Sequence, residues 1–171
     1  WTWGKPRVHT NSVWLHSAQF VNHIPKTWNL TKKDCLMHNI QRFCNTVKGN
    51  QTFRIIPHSF QLPRDYVAFT KAFADLGGTW IMKQVGMSRG RGISLVSDIA
   101  HVVYDSPVVL QQYIERPLLI DGGYKFDMRI YVLVTSFQPT LEAFVSTLGF
   151  ARIASVPYKP PSKDASQSNK Y

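Results

Sequence analysis

The stretch that decides the fold is KFDMRIYVLVT, residues 125–135, because two kinds of side chain alternate along it. In a β-strand, residues two apart point to the same face. One face of this predicted strand carries the apolar residues Phe126, Met128, Ile130, Val132 and Val134. The other face carries Lys125, Asp127 and Arg129, followed by Tyr131 and Leu133.

Two cations that flank a carboxylate could clamp phosphate oxygens and orient a metal-bound nucleotide. The alternative is a charged face turned to solvent. Tyr131 and Leu133 continue the charged face and are not typical of solvent positions. They indicate a half-covered cleft.

The surrounding segments predict an α+β fold. Residues 79–96 are predicted as a hairpin of two strands around a mobile loop rich in glycine and arginine, 86–92. Further short strands are expected at 53–56, 108–113 and 141–147, the last pairing with 125–135 after a turn at Gln138-Pro139. Helical spacing of apolar residues predicts helices near 31–47 and 64–75. Residues 1–20 are predicted as an aromatic strand and a turn, and the tail from about 157 as loop.

Lys83 ends a predicted strand just before the loop Arg89-Gly-Arg-Gly92. Glycines let backbone N–H groups turn toward an anion and arginines add positive charge, so the loop suits phosphate. The alternative is an ordinary surface hairpin. Walker and Rossmann glycine motifs are absent from the sequence. A protein kinase has its glycine loop before the lysine, and the reverse order here argues against that class.

The charge of the chain indicates an acidic partner. Twenty Lys and Arg residues against ten Asp and Glu residues give a net charge of +10. Residues 1–60 hold one acidic residue, Asp34, and eight basic residues: Lys5, Arg7, Lys26, Lys32, Lys33, Arg42, Lys48 and Arg54. Such a field attracts nucleic acid, an anionic membrane, a nucleotide or an acidic protein tail, unless it is a solvated basic surface with no dedicated partner.

Two function classes find no support in the sequence. No apolar run approaches the roughly 18 residues that a membrane-spanning helix needs. Cys35 and Cys44 lie nine apart, without the spacing of a zinc or redox pair. They are predicted to be free, buried thiols.

Several segments together resemble the tubulin–tyrosine ligase-like family. They are WIMK at 80–83, SRGRGI at 88–93, QQYIERPLLI at 111–120, KFDMRIYVLV at 125–134 and GFAR at 149–152. Upstream, NHIP at 22–25 and LTKKD at 30–34 are similar to the family's N-terminal region. The resemblance runs from about residue 20 to 158 and is closest to the polyglutamylase branch.

The resemblance implies an ATP-grasp fold, with ATP held between two β-rich lobes. By matching position, Lys83 would contact the nucleotide phosphates, and Arg89 and Gly90 would belong to the loop over them. Gln111, Gln112, Tyr113 and Ile114 would form the hinge strand that binds adenine. Lys125, Phe126 and Asp127 would reach the ribose and phosphates, Arg129 would face the acyl-phosphate region, and Arg152 would grip the incoming amino acid.

The implied activity is ATP-dependent addition of glutamate to glutamate side chains of tubulin tails. Its cofactors would be ATP and Mg²⁺, and its partners tubulin or microtubules and free glutamate, with neither nucleic acid nor membrane. The expected location is the cytoplasm and cytoskeleton, including a cilium or basal body. Tyrosine or glycine addition, or a non-catalytic basic domain that binds acidic microtubule surfaces, stay as alternatives.

Some family features differ or are missing. Gln84 replaces a proline that many relatives have after the lysine, and Tyr124 lengthens the turn before Lys125. The family's later His-Leu-Thr-Asn stretch and its strand of metal ligands have no counterpart before Tyr171, so we expect a fold incomplete at its C-terminus that lacks ligase activity alone. The expected organisation is a basic N-terminal region, 1–62, an ATP-binding lobe, 63–158, and a truncated loop, 159–171.

Overall fold

The computed structural model describes residues 24, 26–46 and 53–161. Its helices are α1 (Trp28–Thr31), α2 (Lys33–Thr46) and α3 (Tyr66–Leu76), with a 3₁₀ turn at Ile99–His101. Its strands are β1 (Ser59–Leu62), β2 (Trp80–Gln84), β3 (Ile93–Val96), β4 (Val108–Gln112), β5 (Leu119–Ile120), β6 (Tyr124–Ser136) and β7 (Glu142–Pro157). This mixture of helices and antiparallel strands confirms the predicted α+β class. Within these residues, no helix is both long enough and apolar enough to cross a membrane.

The strands form two antiparallel sheets. The first has the order β1-β4-β2-β3 and the second has the order β5-β6-β7. In the first sheet β2 pairs with both β3 and β4, so that Lys83 lies between Ile93 and Val109. The predicted hairpin at 79–96 is confirmed by the β2–β3 pairing.

The core lies between the first sheet and α3. Trp80 at the start of β2 and Phe69 on α3 are both fully buried, with ring centroids 5.3 Å apart and rings nearly perpendicular. Phe60 and Phe73 lie 5.9 and 6.2 Å from the Trp80 ring. The Trp80 indole N–H donates to the carbonyl of Gly77, 3.2 Å away, so its polar atom has a partner inside the core. Trp80 therefore anchors the strand that carries Lys83.

The second sheet is dominated by the long hairpin of β6 and β7, which is exposed on both faces. Met128 and Ile130 on one face are 65% and 58% exposed, and Tyr131 and Leu133 are 57% and 63% exposed. The pairing register also shifts between Ile130 and Val132, which interrupts the simple alternation. The prediction that Tyr131 and Leu133 line a half-covered cleft is therefore wrong.

Other element predictions had mixed outcomes. The helices near 31–47 and 64–75 and the strands at 108–113 and 125–135 are confirmed within a few residues. The strand predicted at 53–56 is wrong, because the first strand begins at Ser59, after Pro57. Strand β7 does pair with β6 after the turn, but it extends to Pro157 and not to 147.

Two further predictions concern the cysteines and the N-terminus. Cys35 and Cys44 are free thiols, as predicted, but both are partly exposed instead of buried. The aromatic strand and turn predicted at 1–20, and most of the tail loop, lie outside the described residues. The part of the tail that is described, 158–161, has no helix or strand.

Replacing Trp80 with alanine should loosen the whole first sheet. Removing a fully buried aromatic side chain from a core costs about 3–5 kcal/mol of folding stability. We expect hydrogen exchange of the β2 and β4 amides to accelerate accordingly. Trp28→Ala, at a position that is 45% exposed, is the matched control and should change exchange in these strands little. Equal exchange in both variants would contradict the anchoring role of Trp80.

Candidate nucleotide and amino-acid site

Lys83 occupies a partly buried position near the end of β2. Its ammonium donates a hydrogen bond to Oε1 of Gln111 on β4, 2.8 Å away. Burial first, and then the positive charge of Lys33, hold the pKa of Lys83 below the ordinary lysine value. Both causes disfavour the charged form of Lys83. An anion bound next to the ammonium would stabilise that charged form.

The loop after Lys83 joins β2 to β3. Gly86, Gly90 and Gly92 have positive φ angles, and so does Arg89, at 59°. Gly92 has a φ of 65°, a left-handed conformation that favours glycine, and an added Cβ would also displace the flexible side-chain amide of Gln84, whose oxygen would lie 2.6 Å away. Arg89 and Gly90 are exposed at the loop tip. The structure thus places the predicted Arg-Gly pair beside the strand that carries Lys83.

Lys33, at the first position of α2, fastens the start of this loop. Its ammonium donates to the backbone carbonyls of Gln84 and Met87, at 2.8 Å each. The sequence analysis had treated Lys33 only as one of several basic surface residues. Nothing in the local sequence distinguishes it from Lys32, because its partners lie more than fifty positions away.

The predicted adenine hinge, 111–114, spans the end of β4 and the residues after it. Gln111 turns its side chain toward Lys83 and Ser59. The amides of Gln112 and Tyr113 donate to the carbonyls of His58 and Thr79, at 2.8 and 2.9 Å. These two backbone N–H groups are therefore already hydrogen-bonded within the protein. Ile114, which is 58% exposed, is the hinge residue nearest to solvent.

Lys125 connects the two sheets. Its ammonium donates to the hydroxyl of Tyr113, 3.1 Å away, and lies 5.0 Å from the centre of the Tyr113 ring and 5.6 Å from that of Tyr158. Tyr158 in turn donates its hydroxyl to the carbonyl of Glu115 at 2.9 Å. Neither Glu115 nor Tyr158 was among the predicted site residues. Phe126, the next residue, is partly buried.

Asp127 and Arg152 face each other across β6 and β7 and form a two-pronged ion pair. Nε of Arg152 lies 2.9 Å from Oδ1 of Asp127, and a terminal guanidinium nitrogen bonds the second oxygen. The hydrogen bond from Arg152, and to a lesser extent the charges of Arg152 and Arg129, lower the pKa of Asp127. Arg129 lies two residues along β6 and is exposed.

The predicted residues thus form three groups. Lys83 and Gln111 belong to the first sheet, Lys125 and Tyr113 bridge the sheets, and Asp127, Arg129 and Arg152 lie on the exposed hairpin. The cationic groups suit the phosphates of ATP. For Mg²⁺ the fit is poor: residues 24, 26–46 and 53–161 contain no group of three acidic, histidine or cysteine side chains that could hold a metal. The carboxylate of Asp127 is already engaged by Arg152.

Lys33→Met should free the loop between β2 and β3. The methionine keeps the length of the side chain but loses both hydrogen bonds to the carbonyls of Gln84 and Met87. A hydrogen bond from a charged donor contributes about 1.5–3 kcal/mol, so amide protection in residues 85–92 should fall about tenfold. Hydrogen exchange measures this. Lys32→Met is the control, and an equally protected loop in both variants would refute the fastening role of Lys33.

The chain is similar to proteins of one known family. A model of the tubulin-tyrosine ligase family matches residues 12–171. The chain is 42% identical over 150 residues to tubulin polyglutamylase TTLL5 of Mus musculus, covering 88% of this chain and 11% of that protein. It is 34% identical over 170 residues to tubulin monoglutamylase TTLL4 of Mus musculus, covering 99% of this chain and 14% of that protein.

A match to the probable alpha-tubulin polyglutamylase Ttll1 of Tetrahymena thermophila is 32% identical over 177 residues and covers 86% of this chain and 42% of that protein. The chain therefore spans less than half the length of each of these three relatives. Nearly all of its length matches the family model, including every residue of the three groups described above. The chain belongs to the tubulin-tyrosine ligase family.

Proposed function

We propose that the protein containing this chain is an ATP-dependent ligase that adds glutamate to glutamate side chains in tubulin C-terminal tails. The observation that carries the proposal is the set of cationic side chains along β2, β6 and β7, in a chain whose relatives are named tubulin glutamylases. The net charge of +10 supports an acidic acceptor. Tubulin as partner implies a location at the cytoskeleton.

The proposed reaction has two steps. The acceptor carboxylate attacks the γ-phosphorus of ATP, the bond to the bridging oxygen breaks, and ADP leaves with the formation of an acyl phosphate. The amino group of the incoming glutamate then attacks the acyl carbon, loses a proton and displaces inorganic phosphate, which leaves an amide bond. Negative charge develops on the transferring phosphoryl group in the first step, and cationic side chains stabilise it.

The residues of this chain divide that work between them. Lys83, together with Arg89 and Gly90 in the loop, binds the phosphates, and the hinge at 111–114 holds the adenine. Lys125, Phe126 and Asp127 contact the ribose and phosphates. Arg129 neutralises the acyl phosphate. Mg²⁺, as the second cofactor, would need more than the Asp127 carboxylate, which Arg152 already binds.

Arg152 has the geometry for an amino-acid carboxylate. Its guanidinium already binds one carboxylate, that of Asp127, through two hydrogen bonds. The α-carboxylate of a free amino acid presents the same pair of oxygens. We therefore propose that the incoming amino acid takes the place of Asp127 on Arg152.

Alternatives within the family are the addition of tyrosine or glycine, because Arg152 would bind the carboxylate of either amino acid. A non-catalytic domain that binds acidic microtubule surfaces is the alternative from another class, and the basic charge favours it too. The division into regions 1–62, 63–158 and 159–171 also remains a proposal. Measured ligase activity would distinguish the enzyme from the non-catalytic binding domain. The amino acid that is transferred would distinguish the three kinds of ligase.

Lys83→Ala in the complete protein should abolish glutamate transfer to tubulin while the fold persists. The variant removes the ammonium that contacts the phosphates and leaves the apolar partners of β2 in place. Transfer is measured with radiolabelled glutamate, and ATP binding and circular dichroism are recorded in parallel. Lys71→Ala, an exposed lysine on α3, is the control. Near-normal transfer by a folded Lys83→Ala protein would refute the proposed site.

Arg152→Ala should raise the apparent KM for glutamate at least tenfold and that for ATP far less. A lost hydrogen bond to a charged group corresponds to about 1.5–3 kcal/mol. The matched control is Arg64→Ala. Arg64 lies away from the site and forms a similar two-pronged pair with Asp65, with hydrogen bonds of 2.8 and 2.9 Å. Equal increases of both KM values would show that Arg152 has a structural role instead.

A further inference from the structure

Ser59, the first residue of β1, is a buried polar residue on the face of the first sheet opposite to the core around Trp80. It is 1% exposed and pairs with Gln111 across β1 and β4. Its hydroxyl donates to the carbonyl of Pro57 at 2.8 Å. The same oxygen accepts from Nε2 of Gln111 at 2.9 Å. Both roles of the hydroxyl are therefore used.

These two hydrogen bonds fix the orientation of the Gln111 side-chain amide. A serine hydroxyl has one proton, and here that proton is directed to the Pro57 carbonyl. Toward Gln111 the Ser59 oxygen can then only accept, so it must face the NH₂ end of the amide. The amide oxygen consequently points the other way, to the ammonium of Lys83 at 2.8 Å.

Helix α2 adds a further contact to Ser59. Nε2 of Gln41 donates to the backbone carbonyl of Ser59 at 2.5 Å. Ser59 therefore contacts α2 through its backbone carbonyl and Gln111, the partner of Lys83, through its hydroxyl.

We propose that Ser59 is a positioning residue for Lys83, acting by holding the Gln111 amide with its oxygen toward the ammonium. The inference rests on the proposed ATP site. It adds a residue that contacts no substrate yet decides whether the lysine meets an acceptor or a donor.

The surroundings of Lys83 make this orientation important. Its neighbours across the sheet are the apolar residues Ile93 and Val109, and the charge acting on it comes from Lys33 on α2. The Gln111 oxygen accepts a hydrogen bond from the ammonium at 2.8 Å, and an acceptor at this distance favours the charged form. A flipped amide would present NH₂ to the ammonium and lower the pKa of Lys83 further. The lysine would then lose its charge at a lower pH.

The test measures kcat/KM for ATP against pH in the complete protein. For the wild type we expect activity to fall as the pH rises through the lowered pKa of Lys83. For Ser59→Ala we expect this alkaline limb to move to lower pH, with a loss of kcat/KM on the order of tenfold at alkaline pH. The KM for glutamate should stay unchanged. Ser94→Ala, a serine on β3 of the same sheet, is the control.

Two further variants separate positioning from general damage. Ser59→Thr keeps the hydroxyl and should retain the wild-type limb. The double variant Ser59→Ala/Gln111→Glu offers an oxygen to Lys83 in either orientation and should move the limb back to higher pH. Should Ser59→Ala fail to fold, Ser59→Cys, of similar size and a weak acceptor, takes its place with the same expected shift.

An alkaline limb that is identical in the wild type and the folded Ser59 variants would overturn the inference. That result leaves the proposed function standing, because the wild type would still depend on ATP. A wild-type protein without ATP-dependent transfer would instead overturn the proposed function itself.

Discussion

The burial of Trp80 beneath α3 is the constraint on which the rest of the structure depends. Its ring packs among Phe60, Phe69 and Phe73 and is fully excluded from solvent. Because β2 is a short strand, an anchor at its first residue sets the position of Lys83 three residues later. The apolar core therefore determines where Lys83 lies, near the end of β2, where burial is only partial.

Helix α2 buries Met37 and contributes to the site through polar contacts. Lys33 fastens the loop after β2, and Gln41 holds the Ser59 carbonyl. Lys33 is consequently engaged with the protein backbone, whereas Lys32 is exposed. These two neighbouring lysines therefore differ in role: Lys33 holds the loop between β2 and β3, and Lys32 faces solvent.

The pattern of the sequence predicted the elements better than the contacts between them. Alternation over 125–135 located β6 to within one residue at each end, because a strand with two distinct faces leaves that signature. The strand predicted at 53–56 was wrong because local β-propensity does not show which segment has a pairing partner. The segment that pairs with β4 begins at Ser59. Lys33 and Tyr158 were missed for the same reason, since their partners are far away in sequence.

The proposed site has two sides that differ in burial, one around Lys83 and Gln111 and one around Asp127 and Arg152. Their contacts therefore differ in how readily they can change. Around Lys83 and Gln111 the polar groups are partly or fully buried and already paired, so breaking one contact leaves an unsatisfied group at substantial cost. The pair of Asp127 and Arg152 is more than half exposed, and such ion pairs contribute little to stability. Exchange of its carboxylate for that of an amino acid would cost correspondingly little. The difference in burial therefore predicts that the contacts of Lys83, on the proposed phosphate side, stay fixed. The contact of Arg152, on the proposed amino-acid side, can be exchanged.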